Sequence, residues 1–134
     1  MTGTKAKIHE SVNGTSTVQN IMMTNGHRMP VMGFGTFTMK EAAPVEQAIK
    51  LGYRHIDTAS RYGNEEQVGQ AIQNSIKRGE VTRAELFITT KIFHNEYHDV
   101  EKALRQSLAK LKTSYVDMYL IHWPNNFFTD KKNQ

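Results

Sequence analysis

What most constrains this chain is an alternation of short apolar runs with stretches of helical periodicity, recurring at roughly the 30-residue spacing of a βα unit. Gly33-Phe34-Gly35-Thr36 is the first run. Pro44 then suits a first helical turn, Val45, Ala48 and Ile49 share one face, and Gly52 is placed to stop the helix. Tyr53 to Asp57 reads as a second strand. Asn64 follows as a candidate N-cap with Gln67 three residues on, and Val68, Ile72 and Ile76 form a stripe ending at Gly79. Leu86 to Lys91, rich in β-branched residues, reads as a third strand. Asp99 can cap a helix with the stripe Val100, Leu104, Leu108 and Leu111, supported by a Glu101–Arg105 pair. Tyr115 to His122 is nearly continuously apolar and stops at Pro124, as a buried parallel strand would.

The order βαβαβαβ predicts a parallel sheet with right-handed crossovers. Eight such units fill the ~250 residues of a (β/α)8 barrel. With 134 residues, this chain has room for its first four strands, an incomplete barrel. Ahead of them, Val18 to Met23 and Met29 to Met32 flank Asn25-Gly26, the signal for a type I′ hairpin. The expected organisation is a flexible tail over 1–17, a hairpin over 18–32, the half barrel over 33–124 and a polar tail over 125–134.

Composition narrows the function classes. Seventeen Lys and Arg against thirteen Asp and Glu leave a net charge of +4, scattered along the chain, which argues against a nucleic-acid surface. No cysteine is present, so there is no disulfide framework, thiolate metal site or cysteine nucleophile. No run approaches the ~18 apolar residues of a membrane span, and residues 1–20 lack a signal peptide's apolar segment. The expectation is a cytoplasmic protein acting on a small molecule, with no membrane or nucleic-acid partner. His94-Asn95-Glu96-Tyr97-His98 is not the HExxH pattern, and no metal site is expected.

Polar residues gather where the strands end: Thr36, Asp57, Lys91 and His122. That rim is where parallel α/β folds bind ligands. Each residue also has an ordinary structural reading: Asp57 bracing the loop from Thr58 to Gly63, Tyr62 a loop aromatic, Lys91 a solvated strand end, His122 a satisfied core histidine. Together they suit proton donation by a phenol. A tyrosine has an ordinary pKa near ~10, and an ammonium from Lys91, paired with Asp57, would ease loss of the Tyr62 proton. A histidine at the same mouth could orient or polarise a carbonyl oxygen. The set fits carbonyl reduction with an external hydride source.

At these residues the sequence resembles the aldo-keto reductase family. The resemblance runs through Gly33-Phe34-Gly35-Thr36, through Gly52-Tyr53-Arg54-His55-Ile56-Asp57-Thr58-Ala59 to Tyr62-Gly63-Asn64-Glu65 and Val68-Gly69, then through Leu86 to Lys91 and Tyr115 to Pro124. It implies a (β/α)8 barrel floored by an N-terminal hairpin that reduces aldehydes and ketones with NADPH, NADH being left open. It puts a catalytic tetrad on Asp57, Tyr62, Lys91 and His122, with Tyr62 as proton donor. Gly35, Thr36 and Asp57 would lie near the nicotinamide ribose, and Phe37, Phe93, His122 and Trp123 would line the substrate pocket. Phe37 and Phe93 stand where tryptophan or tyrosine is often found. The family's later strands, which carry most contacts to the cofactor, have no counterpart here.

Two readings follow: a reductase represented by its N-terminal half, as a truncated product or a fragment, or a non-catalytic cofactor-binding or assembly module. An intact tetrad favours the first. Two unpaired sheet edges predict self-association or poor solubility of the isolated chain, with weak cofactor binding.

Overall fold

A computed structural model describes residues 19–124. All of the expected N-terminal and C-terminal tails lie outside the described residues, as does Val18 of the expected hairpin. The hairpin pairs β1 (Asn20–Met22) antiparallel to β2 (Arg28–Pro30), with Met22 opposite Arg28. Its turn differs from the expected type I′, which needs positive φ at both central residues. Only Gly26 is left-handed, at φ +83°, and Met23 N–H donates to the His27 carbonyl at 2.8 Å. The chain therefore turns through Thr24, Asn25 and Gly26, and the Asn25 side chain accepts from His27 N–H at 3.1 Å.

The main sheet has the order β3-β4-β5-β6, all parallel: β3 (Gly33–Gly35), β4 (His55–Asp57), β5 (Phe87–Ile92) and β6 (Met118–Ile121). The crossovers are α1 (Ala43–Lys50), α2 (Glu65–Lys77) and α3 (Val100–Leu111). Helices and strands bury one apolar cluster between them, with Val45 and Ile49 from α1, Val68 and Ile72 from α2, Leu111 from α3, and Ile56 and Ile88 from the strands. By the two-residue period of a strand, Asp57, Thr89 and Lys91 point to the opposite face. The His55 ring bridges that face to the hairpin, meeting the Pro30 carbonyl at 3.3 Å and Thr89 Oγ1 at 2.9 Å. The hairpin thus sits at the amino end of the strands, away from the rim where Thr36, Asp57, Lys91 and His122 emerge.

Several element boundaries differ from the expectation, each for a local reason. Asn64 stands at the N-cap of α2, but its side chain makes no cap bond. It donates instead to the Thr36 and Met39 carbonyls at 2.7 and 2.9 Å, tying the segment after β3 to α2. Asp99 does cap α3, accepting from Lys102 N–H at 3.0 Å. The buried stripe of α3 is Ala103, Ser107 and Leu111, and Val100 is 49% exposed. The stripe is rotated because Ser107 must reach the buried Glu65, to which it donates at 3.2 Å. The last strand starts at Met118, not Tyr115, because Arg83 holds the preceding segment through Thr113 Oγ1, the Tyr115 carbonyl and Asp117, each at 2.9 Å. Nor is that strand buried on all sides: it ends the sheet, and Ile121 is 67% exposed. Among the described residues, no helix is long and apolar enough to cross a membrane.

Candidate active site

Each rim residue is delivered by a strand end. Asp57 closes β4, Lys91 is the fifth residue of β5, and His122 follows β6, its N–H donating to the Ile92 carbonyl at 3.0 Å. Tyr62 ends a short 3-10 turn, Ser60–Tyr62, whose exit is the left-handed Gly63 at φ +68°. The Lys91 ammonium lies 2.7 and 2.8 Å from the two Asp57 carboxylate oxygens, 2.9 Å from the Thr58 carbonyl and 3.4 Å from Tyr62 Oη. An ammonium has three donors, so these partners account for all of them. The His122 ring meets the Tyr62 ring edge-on, with centroids 5.5 Å apart.

The imidazole of His122 is held below its ordinary pKa, first by burial and then by the Lys91 ammonium, with Asp57 opposing and Arg61 adding to the fall. Its Nδ1 is buried without a hydrogen-bond partner. Tyr119, by contrast, is pushed up to about 12, by burial first and then by the carboxylates of Glu96 and Glu65. It keeps its proton.

The aromatic residues expected at the pocket also converge. Phe37 packs on Tyr62 at 5.1 Å, and Phe93 touches both His122 at 5.7 Å and Trp123 at 5.3 Å. Gly35 borders open space, since a Cβ there would meet no atom within 4 Å. Thr36 is fully buried and donates its hydroxyl to the Asp57 carbonyl at 3.1 Å. Its side chain therefore steadies Asp57 rather than facing the mouth. Sequence reasoning missed the brace around this rim: Glu96 accepts from Ser60 Oγ at 2.6 Å and from Phe93 N–H at 2.9 Å, joining the Tyr62 turn to the end of β5. The serine in the turn and a glutamate three residues after Phe93 were the available signal. Tyr97 Oη similarly donates to the Trp123 carbonyl. Among the described residues no group of acidic and histidine side chains could hold a metal ion.

Four parallel strands, crossover helices packed together, a hairpin at the amino end and a polar cluster at the carboxyl ends define a (β/α)-barrel protein, the barrel being incomplete in this chain. The sequence profile of the Aldo/keto reductase family matches residues 26–129. The chain belongs to that family. It is 43% identical over 117 residues to aldo-keto reductase family 1 member A1 of Mus musculus, covering 83% of this chain and 36% of that protein. It is 45% identical over 119 residues to an NAD(P)H-dependent D-xylose reductase of Candida tropicalis, covering 84% of this chain and 36% of that one. The crystal structure of a Bombyx mori aldo-keto reductase in complex with NADP superposes with a TM-score of 0.77 at 43% identity, covering 82% of this chain and 39% of that one. The chain thus spans little more than a third of the length of the curated relatives it matches.

Proposed function

We propose that this chain carries the proton-transfer half of a carbonyl-reducing site that works with NADPH on small aldehydes and ketones. The observation that carries the reading is the Lys91 ammonium, shared among Asp57, the Thr58 carbonyl and Tyr62 Oη. Tyr62 gives its phenolic proton to the carbonyl oxygen as negative charge develops there. Lys91 stabilises the phenolate left behind, and Asp57 fixes Lys91 while balancing its charge. His122 is neutral near pH 7. With Nδ1 shut inside, its Nε2 is the nitrogen available to orient the carbonyl oxygen. Phe37, Phe93 and Trp123 form the apolar wall around the reacting group.

The residues present fit the nicotinamide end of the cofactor. The Asp57 side chain is 33% exposed, and its oxygens keep lone pairs beyond the Lys91 bonds. The open space at Gly35 adjoins it. Asp57 and Gly35 would hold the ribose of NADPH, which supplies the hydride when bound, and Thr36 would act through the Asp57 backbone.

The test is Lys91→Met in this chain completed by the second barrel half of a relative. Turnover should fall by at least about 100-fold, the usual reach of positioned acid–base groups, while the NADPH dissociation constant moves far less. Equal loss in both would make Lys91 a cofactor-positioning residue only. If NADPH binds but no aldehyde is reduced even before the substitution, the non-catalytic cofactor-binding reading replaces this one.

A further inference from the structure

Resting on the carbonyl-reducing reading, we infer that Arg61 selects substrates bearing an anionic group, a carboxylate above all, at a distance from the reacting carbonyl. Arg61 is the middle residue of the 3-10 turn that presents Tyr62. Its guanidinium lies over the Phe93 ring, 5.2 Å from the centroid, and that ring in turn touches His122 and Trp123. The cation therefore stands above the aromatic wall, beside the proton donor, where the far end of a bound substrate would project. Stacking on a ring limits the side chain's freedom and so prepares its donors for a planar partner.

Among the described residues Arg61 forms no ion pair. Asp57 is engaged by Lys91. Glu96, on the adjoining turn, already accepts from Ser60 and Phe93 through one oxygen. The guanidinium's five donors in a fixed fork match a carboxylate bidentately. Exposed pairs of this kind are weak and screened by salt. A discrimination of about tenfold at low ionic strength is therefore the expected size, rather than an absolute requirement.

Two aldehydes of one shape, 4-formylbenzoate and the neutral 4-formylbenzamide, test this with NADPH in the chain completed by the second barrel half of a relative. In Arg61→Met, which keeps the apolar stem of an exposed side chain, the anionic-over-neutral ratio of kcat/KM should fall about tenfold, mainly through KM. Arg61→Lys should restore part of it, and salt should erode the wild-type preference. A ratio unchanged in Arg61→Met overturns the inference while leaving the reductase reading intact. If neither aldehyde is reduced, that reading of the chain fails, and binding of 4-formylbenzoate followed by NMR decides for Arg61 separately. A roughly tenfold weaker dissociation constant in the methionine variant supports the inference, and equal binding overturns it.

Discussion

At the scale of single residues, burial and charge are distributed unequally among similar groups around the rim. Tyr119 lies in the last strand and His122 just after it, yet burial lowers the pKa of the imidazole and raises that of the phenol, since it disfavours the charged form of each. An NMR titration should find His122 half-protonated below the ordinary histidine value of 6.5. Lys91→Met should bring that midpoint back up, because an ammonium near the ring is removed. An unmoved midpoint would mean that burial, with Arg61 beside it, holds the value down without Lys91. The linkage has a definite sign: a histidine that resists protonation in the folded state contributes stability that is full above about pH 6.5 and declines as the pH falls below it. The gathering of Asp57, Lys91 and His122 at one rim was legible because polar residues at the ends of apolar strands are chemical signals in themselves, with Tyr62 in the adjoining turn. Asn64 was only half legible. Its position marked a helix start, but its side chain bridges Thr36 and Met39, a choice made by residues more than twenty positions away. Arg61 carried no signal at all, since a cation over a ring depends on two turns meeting.

At the scale of elements, periodicity identified each α-helix and each parallel strand among the described residues, and erred where tertiary partners override it. The stripe of α3 illustrates this: counting apolar residues selects Val100, Leu104, Leu108 and Leu111, whereas the buried residues are Ala103, Ser107 and Leu111. They are buried because α2 and α3 approach closely, with Glu65 buried between Thr90 and Ser107, to which it is hydrogen-bonded. Gly69 marks the closest approach. A Cβ there would stand 2.4 Å from the Lys110 carbonyl oxygen and 2.7 Å from the Leu111 Cα. Both are backbone atoms, so the helices themselves must separate. Gly69→Ala should therefore lower the unfolding free energy by about 1–3 kcal/mol, the range for overpacked cores, despite alanine's better helix propensity. Denaturant titration checks it, and a stabilised variant would mean that α2 and α3 are not held at this distance.

At the scale of the whole molecule, the sheet ends at β3 and β6, each of which has one edge without a partner strand among the described residues. Beside β6, Ile92, Tyr97, Val100, Tyr119, Leu120 and Ile121 line a hollow of about 320 Å³ that is almost wholly apolar. An open edge with such a surface favours pairing with another chain. A 134-residue polypeptide of this sequence is expected to self-associate, and light scattering that finds only monomer across a concentration series would contradict this. What the sequence could express of the whole was the order of units and their spacing. It could not express which apolar residues stay uncovered, since Ile121 and Ile88 look alike until the neighbouring strand is absent from one and present for the other. In the proposed reading Tyr62 is the proton donor of a carbonyl-reducing rim. Its most direct test is Tyr62→Phe in this chain completed by the second barrel half of a relative, following NADPH oxidation with an aldehyde. The substitution removes one oxygen and keeps the ring packed between Phe37 and His122. Turnover should drop by two or more orders of magnitude with NADPH binding retained; turnover within about twofold of the parent would take Tyr62 out of the mechanism.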